Sequence, residues 1–313
     1  MYISFDIGGT TIKHGIVAEN GEILEKSAIP TAIYTSDFLS DLTEVIKDYR
    51  NRYSDIQGIG LSAPGCVSPD GVMTTFGRLL EMYGLPLRAE LTKLTGLPVV
   101  VENDANCVAI AEKWLGAAQK TENYLVMTLG TGLGGGVVIN GKIFKGAHGM
   151  AGEFGSMLTD GLTRVGELED ISQQYHSAAI NGLLRRYNLA LESVSHGKAL
   201  PVTEAKKVVE LAEKGEDIAM VVFDEFLSSV SVALLNLTAL FDPELILIGG
   251  GISANSFFMQ SLSDRFDSLV SRHFGLRSMR ENNILGKISQ CQLKNDAGLI
   301  GAAYNLKQVL KMS

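Results

Sequence analysis

Short apolar segments joined by glycine-rich turns open the chain, and their alternation of apolar and polar residues predicts strands. The predicted order is a strand over Met1 to Asp6, a turn over Gly8 to Thr11, a strand over Lys13 to Ala18, a hairpin turn at Asn20-Gly21 and a strand over Glu22 to Ala28.

The same pattern returns near the middle of the chain. It runs through a strand at Tyr124 to Leu129, a glycine turn at Gly130 to Gly136, a strand at Val137 to Ile139, a hairpin turn at Asn140-Gly141 and a strand from Lys142 onward. A repeated supersecondary unit followed each time by mixed helices and strands indicates an α/β fold with two similar halves.

The remaining periodicity fills in the two halves. In the first we expect a helix over Phe38 to Arg52, buried strands at Ile59 to Ser62 and Val99 to Glu102, and a helix over Ala105 to Gly116. In the second we expect helices over Ile171 to Tyr187, Val202 to Lys214 and Ile218 to Phe241 and a strand at Leu245 to Ile248. Gly249-Gly-Gly251 is expected to turn that strand into another helix, and a last helix is expected over Gly298 to Lys311. The expected lobes are residues 1–117 with 295–313, and residues 118–294. No flexible linker composition separates them, so hinge closure is expected to run through helices.

Length and charge narrow the class of protein. A chain of 313 residues exceeds the usual size of one core. A net charge of −8 and a pI near 5.2 argue against broad nucleic-acid binding, which needs clustered Lys and Arg. The N-terminus lacks a signal-peptide pattern, so a cytoplasmic protein is expected. Ile218 to Phe241 carries acidic and polar residues and is interpreted as a core helix rather than a membrane span.

Three glycine segments are candidates for phosphate binding, because only glycine lets backbone amides approach an anion closely. They are Asp6-Ile-Gly-Gly-Thr-Thr11, Gly130-Thr-Gly-Leu-Gly-Gly-Gly136 and Gly249-Gly-Gly251. Each also has a simpler explanation as a tight turn. The second contains a G-x-G-x-x-G match, but it opens a strand instead of a helix and lacks the partner motifs of protein kinases, so both standard interpretations are weak.

Glu102-Asn-Asp-Ala-Asn106 lies between a predicted strand and a predicted helix. The simpler interpretation is that Asn103 or Asp104 only caps that helix, whereas a carboxylate at the end of a strand is also suited to act as a base. Glu153 is flanked by Gly152 and Gly155, which suits close approach of a polar ligand; an exposed loop glutamate is the alternative. The five histidines show no metal-ligand spacing, and Cys66, Cys107 and Cys291 show no C-x-x-C spacing.

Together these segments resemble the ROK family, within the sugar kinase, Hsp70 and actin superfamily, over nearly the whole chain. The resemblance implies two RNase H-like lobes around a central cleft, with the glycine loops of the two lobes facing one another across ATP. It implies that Asp104 is the catalytic base and that Gly65, Asn103 and Glu153 bind the sugar. The implied ATP-binding residues are Asp6, Gly8, Gly9, Thr10, Thr11, Lys13, Gly130, Thr131, Gly132, Gly134, Gly249, Gly250 and Gly251, with Asp6 also organising Mg²⁺.

The chain departs from the family pattern at two places. The family's E-x-G-H motif reads Glu153-Phe-Gly-Ser156, and the cysteines of the family's zinc motif are missing from Leu162 to Asp170, so structural zinc is not expected. Glu169 falls where the family often has a sugar-contacting glutamate. Loss of the histidine and of the zinc-braced loop is expected to open the pocket at the anomeric end of the sugar, with Ser156 beside it.

Segments 151–160 and 295–301 are similar to those of bacterial β-glucoside kinases, so the 6-hydroxyl of the non-reducing glucose of compounds such as cellobiose is the expected acceptor. The alternatives are an N-acetylmannosamine kinase, a glucokinase or fructokinase, and a non-catalytic sugar sensor. The repressors of the family carry a DNA-binding segment before the first phosphate motif, and here that motif begins at Asp6. The expected partners are a sugar and a nucleotide, with no nucleic acid and no membrane, and the resemblance implies a homodimer.

Overall fold

The computed structural model describes residues 1–159, 161 and 165–312. Backbone contacts divide the chain into two compact units. The first unit contains Met1–Lys120, Gly136–Ala151 and Asn295–Ser313, and the second contains Thr121–Gly135 and Gly152–Lys294.

The first unit is built on a five-stranded sheet with the order β3-β2-β1-β4-β5. Its strands are β1 (Tyr2–Ile7), β2 (Thr11–Val17), β3 (Ile23–Pro30), β4 (Ile59–Ala63) and β5 (Val99–Asn103). The pairs β1–β2 and β2–β3 are antiparallel, while β4 and β5 run parallel to β1. The predicted opening hairpins and the two buried strands are therefore confirmed.

The second sheet has the equivalent order, β8-β7-β6-β9-β10. Its strands are β6 (Tyr124–Leu129), β7 (Leu133–Ile139), β8 (Lys142–Ile143), β9 (Leu245–Gly249) and β10 (Lys287–Gln290). The internal repeat is confirmed, although β10 was not expected. The glycine turn is shorter than predicted, because Gly130 N donates to Gly132 O and β7 already begins at Leu133. Gly134 to Gly136 are strand residues.

Ten α-helices accompany the sheets in the described residues. They are α1 (Thr35–Arg52), α2 (Leu87–Thr95), α3 (Asp104–Trp114), α4 (Gln173–His176), α5 (Arg185–Ser195), α6 (Ala205–Glu213), α7 (Asp217–Phe241), α8 (Ser256–Arg272), α9 (Phe274–Glu281) and α10 (Ala297–Met312). Short 3₁₀ turns lie at Leu80–Met82, Phe154–Ser156, Leu168–Ile171, Gly251–Ala254 and Lys294–Asp296, and a π-helical turn lies at Ala179–Leu184.

The continuous helix predicted over Ile171 to Tyr187 is wrong. That segment is divided into a 3₁₀ turn, α4, the π turn and the start of α5. The reason is that several of its backbone amides bind outside the segment: Gln173 N donates to Met157 O, and Ile180 N and Asn181 N donate to the carbonyls of Gly130 and Thr131. Helical periodicity in the sequence does not reveal that these amides have distant partners. Helices α2 and α9 were also not predicted.

The alternation of residues along β1 explains how the first unit is layered. Ile3, Phe5 and Ile7 belong to a large apolar core that also contains residues of α1 and α2. On the opposite face, Ser4 Oγ donates to Leu299 O of α10 at 2.6 Å. Period-2 alternation thus places α10 on the face of β1 that carries Tyr2, Ser4 and Asp6, where Tyr2 packs in an apolar cluster with Ala303 and Leu306.

Helix α10 approaches its neighbours closely because glycine stands at the contacts. A β-carbon at Gly60 would overlap the carbonyl oxygen of Ala302, and one at Gly301 would overlap the carbonyl oxygen of Cys107 on α3. Backbone carbonyls cannot move aside as a flexible side chain does, so these two positions require glycine.

Among the described residues, α7 is the one helix long and apolar enough to cross a membrane by length and composition. Half of its most apolar window is buried inside the molecule, as in a core helix, so the feature is weak evidence for a membrane span.

The contact between α10 and α3 predicts that Gly301→Ala destabilises the protein by about 1–3 kcal/mol, because the added methyl group meets backbone rather than space. The measurement is the midpoint of thermal or urea unfolding followed by circular dichroism. Gly275→Ala is the matched control: Gly275 is also helical, and its nearest neighbours, atoms of His273, lie 3.8 Å or more from the added carbon. Equal midpoints for the two variants would contradict the prediction.

Candidate active site

Asp6 lies near the carboxyl end of β1, and strand register supplies both of its side-chain partners. It is paired with Lys13 across β2 and with Ser62 across β4. Ser62 Oγ donates to Asp6 Oδ1 at 2.9 Å, and Lys13 Nζ lies 3.2 Å from Asp6 Oδ2. The side chain of Asp6 keeps 20% of its surface exposed, so the carboxylate is held in place but remains accessible.

The first turn of α10 meets the same carboxylate. A β-carbon at Gly298 would lie 2.5 Å from Asp6 Cγ and Oδ1, so only glycine lets the carboxylate reach this helix end. The partial positive charge of a helix N-terminus favours a carboxylate there. Gly298 was not among the predicted site residues, although its place at the start of the last predicted helix was a usable signal.

The turn after Asp6 is closed by its own backbone. Gly8 N donates to Thr11 O at 3.0 Å, and Thr31 Oγ1 donates to Gly8 O at 2.8 Å. Gly9, Thr10 and Thr11 are exposed. The turn therefore presents backbone and hydroxyl groups to solvent on a fixed frame, which is the arrangement that a phosphate group requires.

Asn103, not Asp104, is the N-cap of α3. Asn103 Oδ1 accepts from Asn106 N at 3.0 Å, and Asn103 Nδ2 donates to the carbonyl oxygen of Gly65, also at 3.0 Å. Gly65 has φ near +86°, a conformation that favours glycine. The structure thus brings together Asn103 and Gly65, two residues assigned to sugar binding.

Asp104 is the first residue of α3 and is partly exposed. Its Oδ1 accepts from the amide of Ala105 at 2.8 Å. Because Asn103 performs the capping, helix initiation alone does not account for a carboxylate at position 104. The position leaves Asp104 suited to accept a proton from a bound hydroxyl group.

A buried thiol lies beneath these residues. Burial raises the pKa of Cys107 well above its usual value, and the negative charges of Glu102, Asp6 and Asp104 raise it further, while a hydrogen bond with Ser62 opposes them. The thiol is therefore neutral at physiological pH.

In the second unit, the turn at Gly130 is held by the segment that follows α4. Gly130 O and Thr131 O accept from Ile180 N and Asn181 N. Gln174 Oε1 accepts from Leu133 N at 2.9 Å, and the Gln174 side chain occupies the space that a β-carbon at Gly132 would need. Gly134 follows in β7.

The third glycine segment packs directly against the end of β6. Gly250 has φ near +94°, and a β-carbon there would overlap the carbonyl oxygen of Leu129. The second and third glycine segments are thus adjacent, since Gly250 touches the residue that precedes Gly130. Gly249 ends β9, and Lys206 of α6 lies beside Gly251, with its Cε 3.4 Å from the position of a β-carbon.

Glu153 is partly exposed and immediately precedes the 3₁₀ turn Phe154–Ser156. Ser156 is exposed, and its amide donates to Glu153 O. Glu169 is also exposed, in the turn Leu168–Ile171. A bridge between Leu158 and Ser172 joins the two segments. The structure therefore places the segments that carry Ser156 and Glu169 side by side.

Residues 160 and 162–164, in the loop that lacks the family's zinc cysteines, lie outside the described part of the chain. Within the described part, no group of three or more His, Cys, Asp or Glu side chains is arranged to hold a metal ion. The hard carboxylate oxygens of Asp6 fit Mg²⁺ as a ligand, provided that phosphate oxygens and water complete the coordination.

Two sheets of equivalent strand order, each with a glycine-rich turn after its first strand, are typical of the ATP-dependent sugar kinases within the actin and Hsp70 superfamily. The family model described as ROK family matches residues 2–309, and the chain belongs to the ROK family.

The chain is 36% identical over 307 residues to a beta-glucoside kinase of Listeria monocytogenes, covering 97% of both proteins. Among solved structures, a ROK family protein from Streptococcus pneumoniae in complex with sucrose is 31% identical with a TM-score of 0.82, covering 100% of this chain and 99% of the other. A ROK family glucokinase from Streptomyces griseus in complex with glucose and AMPPNP is 28% identical with a TM-score of 0.77, covering 98% and 99%.

The raised pKa of Cys107 predicts that this thiol does not react with an alkylating reagent at pH 8 in the folded protein, because burial excludes the reagent and the thiolate is scarce. A raised pKa also means that any reactivity grows only as the pH rises further. The extent of alkylation at Cys107 is measured by peptide mapping with mass spectrometry after a brief labelling pulse. The protein unfolded in urea is the control, where Cys107 should label; equally fast labelling of the folded chain would contradict the prediction.

Proposed function

We propose that this ROK family kinase transfers the γ-phosphoryl group of ATP to the 6-hydroxyl of the non-reducing glucose of a β-glucoside such as cellobiose. The observation that carries the substrate proposal is Ser156, an exposed small residue where the family motif has histidine. The 36% identical beta-glucoside kinase and the sucrose complex of the 31% identical neighbour support a pocket that accepts more than a monosaccharide.

The proposed reaction balances with one base. The 6-oxygen forms a bond to the γ-phosphorus, the bond from that phosphorus to the bridging oxygen of ADP breaks, and Asp104 takes the proton of the hydroxyl group. Gly65 and Asn103 would bind and orient the sugar, using the second N–H of the Asn103 amide beyond the one donated to Gly65 O. Glu153, Ser156 and Glu169 are proposed to contact the sugar or its aglycone from the second unit.

The proposed nucleotide site uses the three glycine segments. The exposed turn Gly8 to Thr11 and the turn Gly130 to Gly132, with Gly134 after it, would bind phosphates through backbone amides, and Gly249 to Gly251 would contact the adenosine. Lys13 would then share its ammonium group between Asp6 and a phosphate. Magnesium held by Asp6 would neutralise charge on the phosphates.

The setting of the enzyme is also a proposal. We propose a cytoplasmic location and small-molecule partners, and the acidic composition supports small-molecule partners over nucleic acid. A homodimer is proposed from the family resemblance.

Replacing Asp104 by Asn is expected to lower kcat by roughly 10²–10⁴-fold while sugar affinity changes little, because the amide keeps the shape but cannot accept the proton. A coupled ADP-release assay gives kcat, and calorimetry gives the sugar dissociation constant. Asp70→Asn is the matched control: its carboxylate is 91% exposed in the same unit. If the Asp104→Asn variant retained turnover, Asp104 could not be the catalytic base.

The substrate is tested with wild-type protein and Ser156→His on cellobiose, an aryl β-glucoside, glucose, fructose and N-acetylmannosamine. We expect the highest kcat/KM on β-glucosides. In Ser156→His, the ratio of kcat/KM on β-glucosides to kcat/KM on glucose should fall by about 10-fold or more, because the imidazole fills the space proposed for the aglycone. Preference for a free monosaccharide would refute the β-glucoside proposal but still support a sugar kinase. Sugar binding without turnover would instead indicate a non-catalytic sugar sensor.

A further inference from the structure

Glu102 is a buried carboxylate placed directly before the proposed sugar-binding and catalytic residues. Its side chain is 3% exposed. Oε1 accepts two hydrogen bonds, from Asn103 N and from Asn106 Nδ2, each 3.0 Å long. Glu102 Oε1 is therefore hydrogen-bonded to one residue before Asp104 and one residue after it.

The orientation of the Asn106 side chain depends on that bond. Asn106 is 3% exposed, and among the described residues its Oδ1 has no hydrogen-bond partner. A flip of the amide would turn Oδ1 toward Glu102 Oε1 and would place two acceptors against each other. The negative charge of Glu102 thus determines which way the amide points.

The second oxygen of Glu102 is compensated by a lysine that is distant in sequence. Oε2 has no hydrogen bond of standard geometry among the described residues, yet Lys145 Nζ lies 2.6 Å from it. The contact is therefore a close ion pair. A carboxylate this deeply buried is costly without a neighbouring positive charge, and two further carboxylates, Asp6 and Asp104, stand near the same thiol of Cys107.

Lys145 also forms the base of a closed loop. Its carbonyl oxygen accepts from Ala151 N at 3.1 Å, so residues 145–151 return to their starting point. At Gly149 this loop packs on Val67, since a β-carbon there would overlap the Val67 carbonyl oxygen. Ala151 stands two positions before Glu153 in the sequence.

We propose that Glu102 and Lys145 form a positioning pair for phosphoryl transfer. Glu102, paired with Lys145, fixes Asn103 and Asn106 on either side of Asp104, and Lys145 ties this segment to the loop 145–151. The role rests on the proposed function, because it assigns Asp104 as the base. Neither residue touches the reacting atoms, so the pair acts through the residues it holds.

The test is a double-mutant cycle of Lys145→Met, Glu102→Gln and the two combined, with Lys145→Arg as the conservative variant. Lys145→Met should lower kcat about 10- to 100-fold, the loss expected of a misplaced catalytic group, with KM for sugar and ATP changed by less than about threefold. Lys145→Arg should recover most of the loss. Expressed as activation free energies, the loss of kcat in the double variant should be smaller than the sum of the losses in the two single variants, because the double variant leaves no uncompensated charge.

Lys142→Met is the matched control, because Lys142 is exposed in β8 of the same hairpin and should keep wild-type kcat. Melting temperatures are measured for every variant. If Lys145→Met changes the melting temperature alone and leaves kcat of the folded protein intact, or if the losses in kcat simply add, the positioning role is overturned.

Amide hydrogen exchange separates this proposal from the proposed function. Loss of Lys145 should speed exchange at Asn103 N, which donates to Glu102, without any requirement for turnover. If exchange is faster in the Lys145 variant but the wild-type protein phosphorylates no sugar, the structural pairing stands and the proposed function is refuted. Unchanged exchange in a chain with an active wild type would refute the pairing alone.

Discussion

The close approach of helix α10 to the first sheet and to α3 is the constraint on which the first unit depends. This approach is possible because three contact positions are glycine. At Gly60 and Gly301 a β-carbon would overlap backbone carbonyl oxygens, and at Gly298 it would displace the Asp6 carboxylate. A helix at ordinary distance would leave the buried hydroxyl group of Ser4 without its acceptor, because Ser4 reaches Leu299 O only across this short gap. The same approach brings the start of α10 to Asp6.

Parallel register then gathers the polar side chains at one edge of the sheet. Asp6 is paired with Ser62, and Ser62 in turn with Glu102, so three neighbouring strands present an oxygen-bearing side chain at the same level. Each of the two carboxylates is paired with a lysine, Asp6 with Lys13 and Glu102 with Lys145. Such an edge is where α/β proteins bind ligands, and buried charges persist there because each is compensated.

The glycine segments of the second unit follow the same physical logic with different contacts. Gly250 is required where β9 leaves the sheet against the carbonyl of Leu129, and the Gln174 side chain crosses the turn beside Gly132. Two turns that are far apart in the sequence are therefore built against each other, and at Gly250 the backbone of Leu129 leaves no room for a side chain. This rigidity suits a site that binds a polyanion through backbone amides, because preorganised donors need no rearrangement when the charge arrives.

The sequence by itself determined the repeated strand pattern, the three glycine segments and the family, because each depends on residues close together in the chain. It left open whether Asn103 or Asp104 caps α3, and it wrongly predicted one helix over Ile171 to Tyr187. Only the tertiary structure decided these points, since the outcome depends on distant partners: Gly65 for Asn103, and the carbonyls of Gly130 and Thr131 for the amides of the broken segment. The pairing of Lys145 with Glu102 is of the same kind, because no local pattern records which charge will lie beside a buried carboxylate once strands from different parts of the chain have come together.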